Sequence, residues 1–220
     1  MKLLFVTDIH GNRRRSRKLF ESIRREGILF DYVLIGGDLT HFQGIDVALE
    51  ITSILCRLGR RCFFIPGNCD HRSLLNMEKL GMALNIHGRL VELERGLNLI
   101  GLGGSTITPF NTSIEFTEEE ISKLLPDPKK PFILMSHTPP YKTQIDRTWR
   151  GEHVGSRVIR EYILKNNPVL SLHGHIHEAR GRDTLGSTII INPGPLQNGY
   201  YAIIDLPDNL LDIKVEFYRC

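Results

Sequence analysis

Apolar positions along the chain form short continuous runs that alternate with helical patterns. Residues 2–7 are almost entirely apolar, which is typical of a strand buried on both faces. Within residues 12–26, Leu19 and Ile23 recur at helical spacing among charged positions, and Gly27 provides a stop signal. The chain is therefore predicted to begin with a buried strand followed by an amphipathic helix.

The same succession occurs twice more. Strands are predicted at 32–35 and 62–65, and helices at 45–58 and 72–80. Three strand–helix units in a row favour a parallel sheet in an α/β fold.

Beyond residue 84 the pattern changes to shorter alternating runs joined by glycine-containing turns, beginning at 89–93 and 98–102. A second sheet is predicted to begin here. Further strands are predicted at 132–135, 169–172, 188–191, 201–204 and 211–217, and a further helix at 155–165. No repeat of fixed period and no linker interrupts the pattern, so residues 1–220 are predicted to form a single domain.

Composition limits the classes of partner. The 28 basic and 25 acidic residues give a formal net charge of +3, unlike the strongly basic surface of a dedicated nucleic-acid-binding protein. The four cysteines form no C-x-x-C pair and no signal-sequence pattern is seen at the N-terminus, which favours the cytoplasm. No apolar stretch approaches the roughly 18 residues needed to span a bilayer, so we predict no membrane association.

Five of the strand-like runs end in polar clusters. Ligands of α/β folds bind outside the carboxyl ends of the strands, so we expect these clusters to converge. The candidate ligands are Asp8, His10, Asp38, Asn68, His137, His175 and His177. This mixed nitrogen and oxygen set is large enough for two metal ions, and suits Mn, Fe, Zn, Co or Ni better than calcium or magnesium.

These motifs, in this order, resemble the calcineurin-like metallophosphoesterase superfamily. The matching elements are Asp8-Ile9-His10, Gly37-Asp38, Gly67-Asn68-Cys69-Asp70, His137 and Gly174-His175-Ile176-His177. The resemblance implies an α/β fold built as a four-layer α/β/β/α sandwich with two mixed sheets. It also implies two divalent metal ions, with manganese favoured, and hydrolysis by a metal-activated water.

The resemblance further implies how the ligands divide. One ion would be held by Asp8, His10, Asp38 and His177. The other would be held by Asp38, Asn68, His137 and His175, so Asp38 would be shared.

Two positions depart from the superfamily pattern. Cys69 stands where a histidine that assists the leaving group is common, and His41 stands where a second acid is common. A thiol is a poorer acid than imidazole near pH 7, which favours substrates with good leaving groups. Cys69 is interpreted either as a tentative catalytic residue with Asn68 and Asp70 or as a small buried filler. His41 is interpreted as a surface residue, or as one that contacts the ligands without binding metal itself.

Other residues near the motifs have simpler interpretations. His173 precedes the Gly-His-x-His element and is predicted to support the ligands without binding metal. Arg13 lies close enough to the site to meet a substrate phosphate, but an arginine-rich helix is more often a solvated face.

The favoured function is hydrolysis of a small phosphodiester. The cysteine in place of histidine resembles a branch of small prokaryotic phosphodiesterases. A nuclease is less favoured because the chain has one tryptophan and little net charge. A non-catalytic scaffold is less favoured because every ligand position is filled, and a phosphoprotein phosphatase because the chain is short and lacks the leaving-group histidine. A homodimer is compatible with the sequence.

Overall fold

Two mixed sheets packed face to face form the centre of the protein. A computed structural model describes residues 1–220, except for the side chain of residue 211. In chain order the strands are β1 (Lys2–Val6), β2 (Phe30–Ile35), β3 (Gly59–Phe64), β4 (Lys79–Leu80), β5 (Ala83–Asn85), β6 (Arg89–Glu92), β7 (Asn98–Leu102), β8 (Ser105–Thr106), β9 (Glu115–Phe116), β10 (Phe132–Ser136), β11 (Leu170–Leu172), β12 (Gly181–Leu185), β13 (Thr188–Asn192), β14 (Tyr200–Asp205) and β15 (Lys214–Arg219). The α-helices are α1 (Arg13–Glu26), α2 (Ile45–Leu55), α3 (Glu118–Leu124) and α4 (Arg157–Asn166).

The larger sheet has the order β15-β14-β1-β2-β3-β5-β4, and the smaller has the order β12-β13-β11-β10-β7-β6. Strands β1, β2, β3 and β5 run parallel, as do β7, β10, β11 and β13, and the edges are antiparallel. The carboxyl ends of the parallel strands hold the polar clusters named above.

Successive side chains of a strand point to opposite faces of its sheet, and the buried side chains form three separate hydrophobic clusters. In β1, Leu4 and Val6 pack against α1 and α2, whereas Leu3 and Phe5 pack against the smaller sheet. A third cluster joins the far face of the smaller sheet to α3 and α4. Three interfaces between four layers confirm the predicted α/β/β/α sandwich.

One predicted helix is wrong. Residues 72–80 form a 3₁₀ turn (Arg72–Leu75) and then the short strand β4, which pairs with β5 across Gly81. The Asn85 side chain holds this segment by donating hydrogen bonds to the carbonyls of Leu74 and Met77, at 2.7 and 2.9 Å. Long-range contacts therefore override the apparent helical spacing.

Several short elements were not predicted. Strands β8 and β9 form a separate two-stranded sheet, and β12 extends the smaller sheet. Helix α3 begins with a capping box in which Thr117 and Glu120 satisfy each other's backbone groups, a signature present in the sequence.

A disulfide joins Cys56, which follows α2, to Cys62 in β3, and leaves Cys69 and Cys220 free. The sequence analysis did not predict this pair, and disulfides are uncommon in reducing compartments. After denaturation without reductant we expect alkylation of two thiols, and of four after reduction.

Reduction should lower the free energy of unfolding by about 2 kcal/mol, since the bond closes a short loop in the unfolded chain. The measurement is mass spectrometry together with urea unfolding, with the Cys56→Ser/Cys62→Ser variant as the reductant-insensitive control. Four reactive thiols without reductant would contradict the pairing.

Candidate metal centre

All seven predicted ligands lie at one edge of the two sheets. Asp8 and His10 follow β1, Asp38 follows β2 and Asn68 follows β3. From the smaller sheet, His137 follows β10, and His175 and His177 follow β11. The site therefore joins residues that are up to 169 positions apart in the sequence.

Three side chains meet on the side nearest β1. The Nε2 atoms of His10 and His177 are 3.1 Å apart, and His177 Nε2 lies 3.4 Å from Asp8 Oδ1. Asp8 is held in place by Thr7 Oγ1, which donates to Asp8 Oδ2 at 2.9 Å, and by the backbone N–H of His175.

Asp38 lies between the two halves of the cluster. Its Oδ2 atom is 3.6 Å from His10 Nε2 and 3.5 Å from His137 Nε2. Its Oδ1 atom accepts a hydrogen bond from the backbone N–H of Cys69 at 2.8 Å. One oxygen is therefore anchored, and the other faces a histidine on each side.

The second half contains Asn68, His137 and His175. His137 Nδ1 donates to the carbonyl of Gly36 at 2.8 Å, which leaves Nε2 directed at Asn68 Oδ1, 3.1 Å away. The ring of His175 crosses that of His137 with centroids 5.2 Å apart.

The backbone is strained at four of these residues. Asp8, His10, Asp38 and His175 have φ values of 53°, 49°, 48° and 68°, in the left-handed region that non-glycine residues seldom adopt. Such conformations cost free energy and cluster at functional sites, so the fold holds these side chains in place at the expense of stability.

Two glycines of the motifs are required by close packing. A Cβ atom at Gly67 would lie 2.1 Å from both the backbone nitrogen and Oδ1 of Asp38, and one at Gly174 would lie 2.1 Å from Thr7 Oγ1. A side chain at either position would displace Asp38 or Asp8.

The donor set fits divalent cations. Nitrogen and oxygen ligands at about 2.0–2.2 Å from a common ion lie roughly 3–3.5 Å from one another, close to the separations found here. Two imidazole Nε2 atoms 3.1 Å apart also require a proton or a cation between them. Two of the groups whose ligand atoms lie within 4.8 Å of one another are Asp8, His10 and His177, and Asp8, Asp38 and His137.

Protonation of the metal-free site is set by its carboxylates. Burial lowers the pKa of His137, but the charge of Asp38, a hydrogen bond to it and the charge of Asp8 outweigh burial and raise the pKa to about 9. Burial lowers the pKa of His175 to about 4. At pH 7 His175 is therefore neutral and ready to bind metal, whereas His137 carries a proton.

We expect metal binding at pH 7 to release the proton of His137, because only neutral imidazole is a ligand. The apparent affinity for Mn²⁺ should rise with pH, about tenfold per unit for this one proton, and level off above pH 9. Calorimetric titration in two buffers of different ionisation enthalpy measures the release. Equal heats in both buffers would contradict it.

The tentative catalytic residues Cys69 and Asp70 are both buried. The Cys69 sulfur lies 3.5 Å from Asn68 Nδ2, and burial followed by the charge of Asp38 raises the pKa of its thiol. Asp70 accepts hydrogen bonds from Leu39 N, Thr40 N and Gly67 N. It ties together the loops that hold Asp38 and Asn68.

The other candidates lie around this centre. The exposed His41 ring lies 5.3 Å from that of His10, and His41, His10 and Cys69 form a further group with ligand atoms within 4.8 Å. Both ring nitrogens of His173 are engaged in the interior, with Ser171 Oγ and the carbonyls of Ser136 and Thr138. Arg13 pairs with Glu50, as expected for a solvated face.

Sequence reasoning missed Thr112, which orients the side chain of Asn68. Asn68 Nδ2 donates to Thr112 Oγ1 at 3.0 Å, and Thr112 Oγ1 donates to Glu115 Oε1 at 2.6 Å. The amide nitrogen of Asn68 is thereby held away from the cluster and its oxygen faces His137. No motif marks Thr112, because its role depends on a loop that folds back onto β3.

We expect Thr112→Val to weaken Mn²⁺ binding about 10- to 100-fold, the usual effect of losing a partner behind a ligand. Thr112→Ser keeps the hydroxyl and is the matched control. Binding of Mn²⁺ to the metal-free proteins measures both, and equal affinities for Thr112→Val and the wild type would contradict the role.

Comparison with known proteins agrees with this geometry. The family model for calcineurin-like phosphoesterases matches residues 1–179. The chain belongs to the calcineurin-like phosphoesterase family. Members bind divalent metals and hydrolyse phosphate esters, so the family resemblance read from the motifs is confirmed.

One relative of this calcineurin-like phosphoesterase is an uncharacterised protein of Methanocaldococcus jannaschii. It is 37% identical over 219 residues, which cover 96% of this chain and 94% of the relative. The similarity therefore extends across nearly the whole of both proteins.

Two solved structures share the fold. A dimetal phosphatase from Danio rerio aligns with a TM-score of 0.67 at 12% identity, covering 100% of this chain and 96% of that one. A novel archaeal phosphodiesterase aligns with a TM-score of 0.54 at 15% identity, covering 99% of this chain and 100% of that one. At these identities the likeness concerns the fold.

None of the helices in the described part of the phosphoesterase combines the length and hydropathy needed to cross a bilayer.

Proposed function

We propose that the protein is a two-metal phosphodiesterase that hydrolyses a small phosphodiester, such as one containing a nucleotide. The observation that carries the proposal is the position of Asp38 Oδ2, 3.5–3.6 Å from a histidine of each half of the cluster. A carboxylate so placed is suited to be shared by two cations.

In this proposal Asp8, His10, Asp38 and His177 hold one ion, and Asp38, Asn68, His137 and His175 hold the other. Bound divalent cations supply Lewis-acid chemistry, lowering the pKa of water and neutralising charge on phosphoryl oxygens. The chain contributes preorganisation, since Thr7, Gly36 and Thr112 fix the orientation of the ligands before substrate arrives.

Preference for a diester with a good leaving group rests on Cys69. Burial and the charge of Asp38 keep this thiol protonated and raise its pKa, so it is a poor proton donor to a leaving alcohol. One solved structure with this fold is named a phosphodiesterase and another a phosphatase, so the diester preference depends on Cys69 and not on the likeness of fold.

Manganese as the native metal, a cytoplasmic location and a homodimer belong to the same proposal. The mixed nitrogen and oxygen ligand set supports a transition-metal ion such as Mn, Fe, Zn, Co or Ni over calcium or magnesium. The disulfide between Cys56 and Cys62 is a point against a reducing compartment.

The test compares a phosphodiester and a phosphomonoester with the same chromogenic leaving group. Metal-stripped protein is assayed before and after addition of Mn²⁺, and the number of bound ions is counted. We expect turnover of the diester only with metal, at two ions per chain. Metal-loaded protein that hydrolyses neither ester would overturn the proposal in favour of a scaffold, and faster turnover of the monoester would overturn the diester preference.

A further inference from the structure

A cavity of about 680 Å³ opens directly beside the metal centre. His175 and Ile176, from the Gly-His-x-His element, form one wall. The other walls come from two loops, 106–110 and 148–154. A ligand held at the metal centre through a phosphate would extend into this space, whose volume is typical of small-molecule sites.

Each loop presents a large aromatic side chain to the cavity. Phe110 is 80% exposed and Trp149 is 88% exposed. Ile107 and Val154 line the same space and are also exposed. Clustered exposed apolar side chains are characteristic of binding surfaces, since leaving them in water forgoes the free energy of burial.

Both loops are fixed by carboxylates. Glu115 accepts hydrogen bonds from the backbone N–H and the hydroxyl of Thr108 and of Thr112. Asp146 is fully buried and accepts from Lys142 N, Thr143 N, Gly155 N and His153 Nδ1. Trp149 N also donates to Glu178 Oε1 at 3.2 Å, which ties its loop to the element that carries His175 and His177.

We propose that Phe110 and Trp149 form a subsite for the nucleobase of a nucleotide ester whose phosphate lies at the metal centre. This inference rests on the proposed function and specifies its substrate class. Aromatic side chains stack on any base. Arg150, in the same cavity, adds positive charge for an anionic ligand.

The test uses Trp149 itself, which is the single tryptophan of the chain. The Mn²⁺-loaded protein is titrated with adenosine 5′-monophosphate and with ribose 5-phosphate, which has the same phosphate but no base. We expect the former to quench the tryptophan fluorescence and to bind at least about fivefold more tightly, in line with stacking of one base. Equal dissociation constants would overturn the subsite.

A variant tests the contribution of the second aromatic ring. Phe110→Ala should reduce the ratio of the two affinities at least about threefold. Leu29→Ala removes another exposed apolar side chain, 59% exposed, next to the amino end of β2 and away from the site, and should leave the ratio unchanged. An unchanged ratio in Phe110→Ala would contradict the assignment.

The same preparations are assayed with methyl p-nitrophenyl phosphate, which carries no base. Turnover of this ester together with equal dissociation constants would overturn the subsite alone. Absence of turnover together with base-selective binding would overturn the phosphodiesterase and leave the subsite standing.

Discussion

Asp38→Ala is expected to lower kcat for diester hydrolysis at least about 10³-fold and to reduce the bound metal below two ions per chain. Asp38 Oδ2 is the carboxylate oxygen that faces both His10 and His137. In the proposed centre its loss would remove a ligand from each ion, and the loss of one electrostatic contact to the reacting group commonly costs about 10²–10³ in rate. Steady-state kinetics with saturating Mn²⁺ and metal analysis of the dialysed protein provide the measurement.

Two variants make the Asp38 result interpretable. Asp38→Asn keeps the shape of the side chain and removes its charge, so a similar loss would assign the effect to the charge. Asp127→Ala removes an exposed aspartate that precedes the amino end of β10, whereas the cluster lies at the carboxyl ends of the strands, so this variant should behave as wild type. Retention of more than about a tenth of the activity by Asp38→Ala would contradict a shared role.

The second large effect concerns stability. We expect Asp70→Ala to lower the free energy of unfolding by about 3–5 kcal/mol, because it leaves the N–H groups of Leu39, Thr40 and Gly67 without acceptors in the interior. Burial, and then the charge of Asp38, raise the pKa of Asp70 to about 7, so the carboxylate is ionised at pH 8. Urea unfolding of the metal-free protein at pH 8 is the appropriate measurement.

Asp70→Asn tests the chemistry behind this effect. Its amide group places donors against the N–H groups that an ionised carboxylate accepts from, so it should also destabilise the protein. Asp127→Ala serves again as the surface control, with an expected change within about 0.5 kcal/mol. A similarly small change in Asp70→Ala would show that the two loops do not depend on this carboxylate. An unchanged stability with lost turnover would instead favour a catalytic role for Asp70.

The convergence of the candidate ligands could be predicted from the sequence because its determinants are local. Asp8, Asp38 and His137 each follow an apolar run directly, and the carboxyl ends of parallel strands share one edge of a sheet. The fold class followed from the same alternation of strands and helices. In contrast, the helix predicted at 72–80 is absent, since Asn85 and the pairing of β4 with β5 decide that segment.

The residues that surround the cluster could not be predicted from the sequence in the same way. Phe110, Thr112 and Trp149 belong to loops without periodicity, and they acquire their roles only when those loops fold over the strand ends. Asp146 and His153 likewise form their contact within an irregular segment. The Cys56–Cys62 bond forms because the chain turns back between the end of α2 and β3, and the spacing of the two cysteines alone does not specify this turn.

The chain order of the ligands has a consequence for biosynthesis. His177 meets Asp8 only after most of the polypeptide has been made, and β1 obtains one of its two neighbours, β14, later still. A ribosome-bound fragment that ends before β11 therefore lacks half of the histidines of the cluster. In the proposed two-metal centre each ion has a histidine that follows β11 among its ligands, so neither ion would have its full set of ligands until this late part of the chain has been made and has folded against β1.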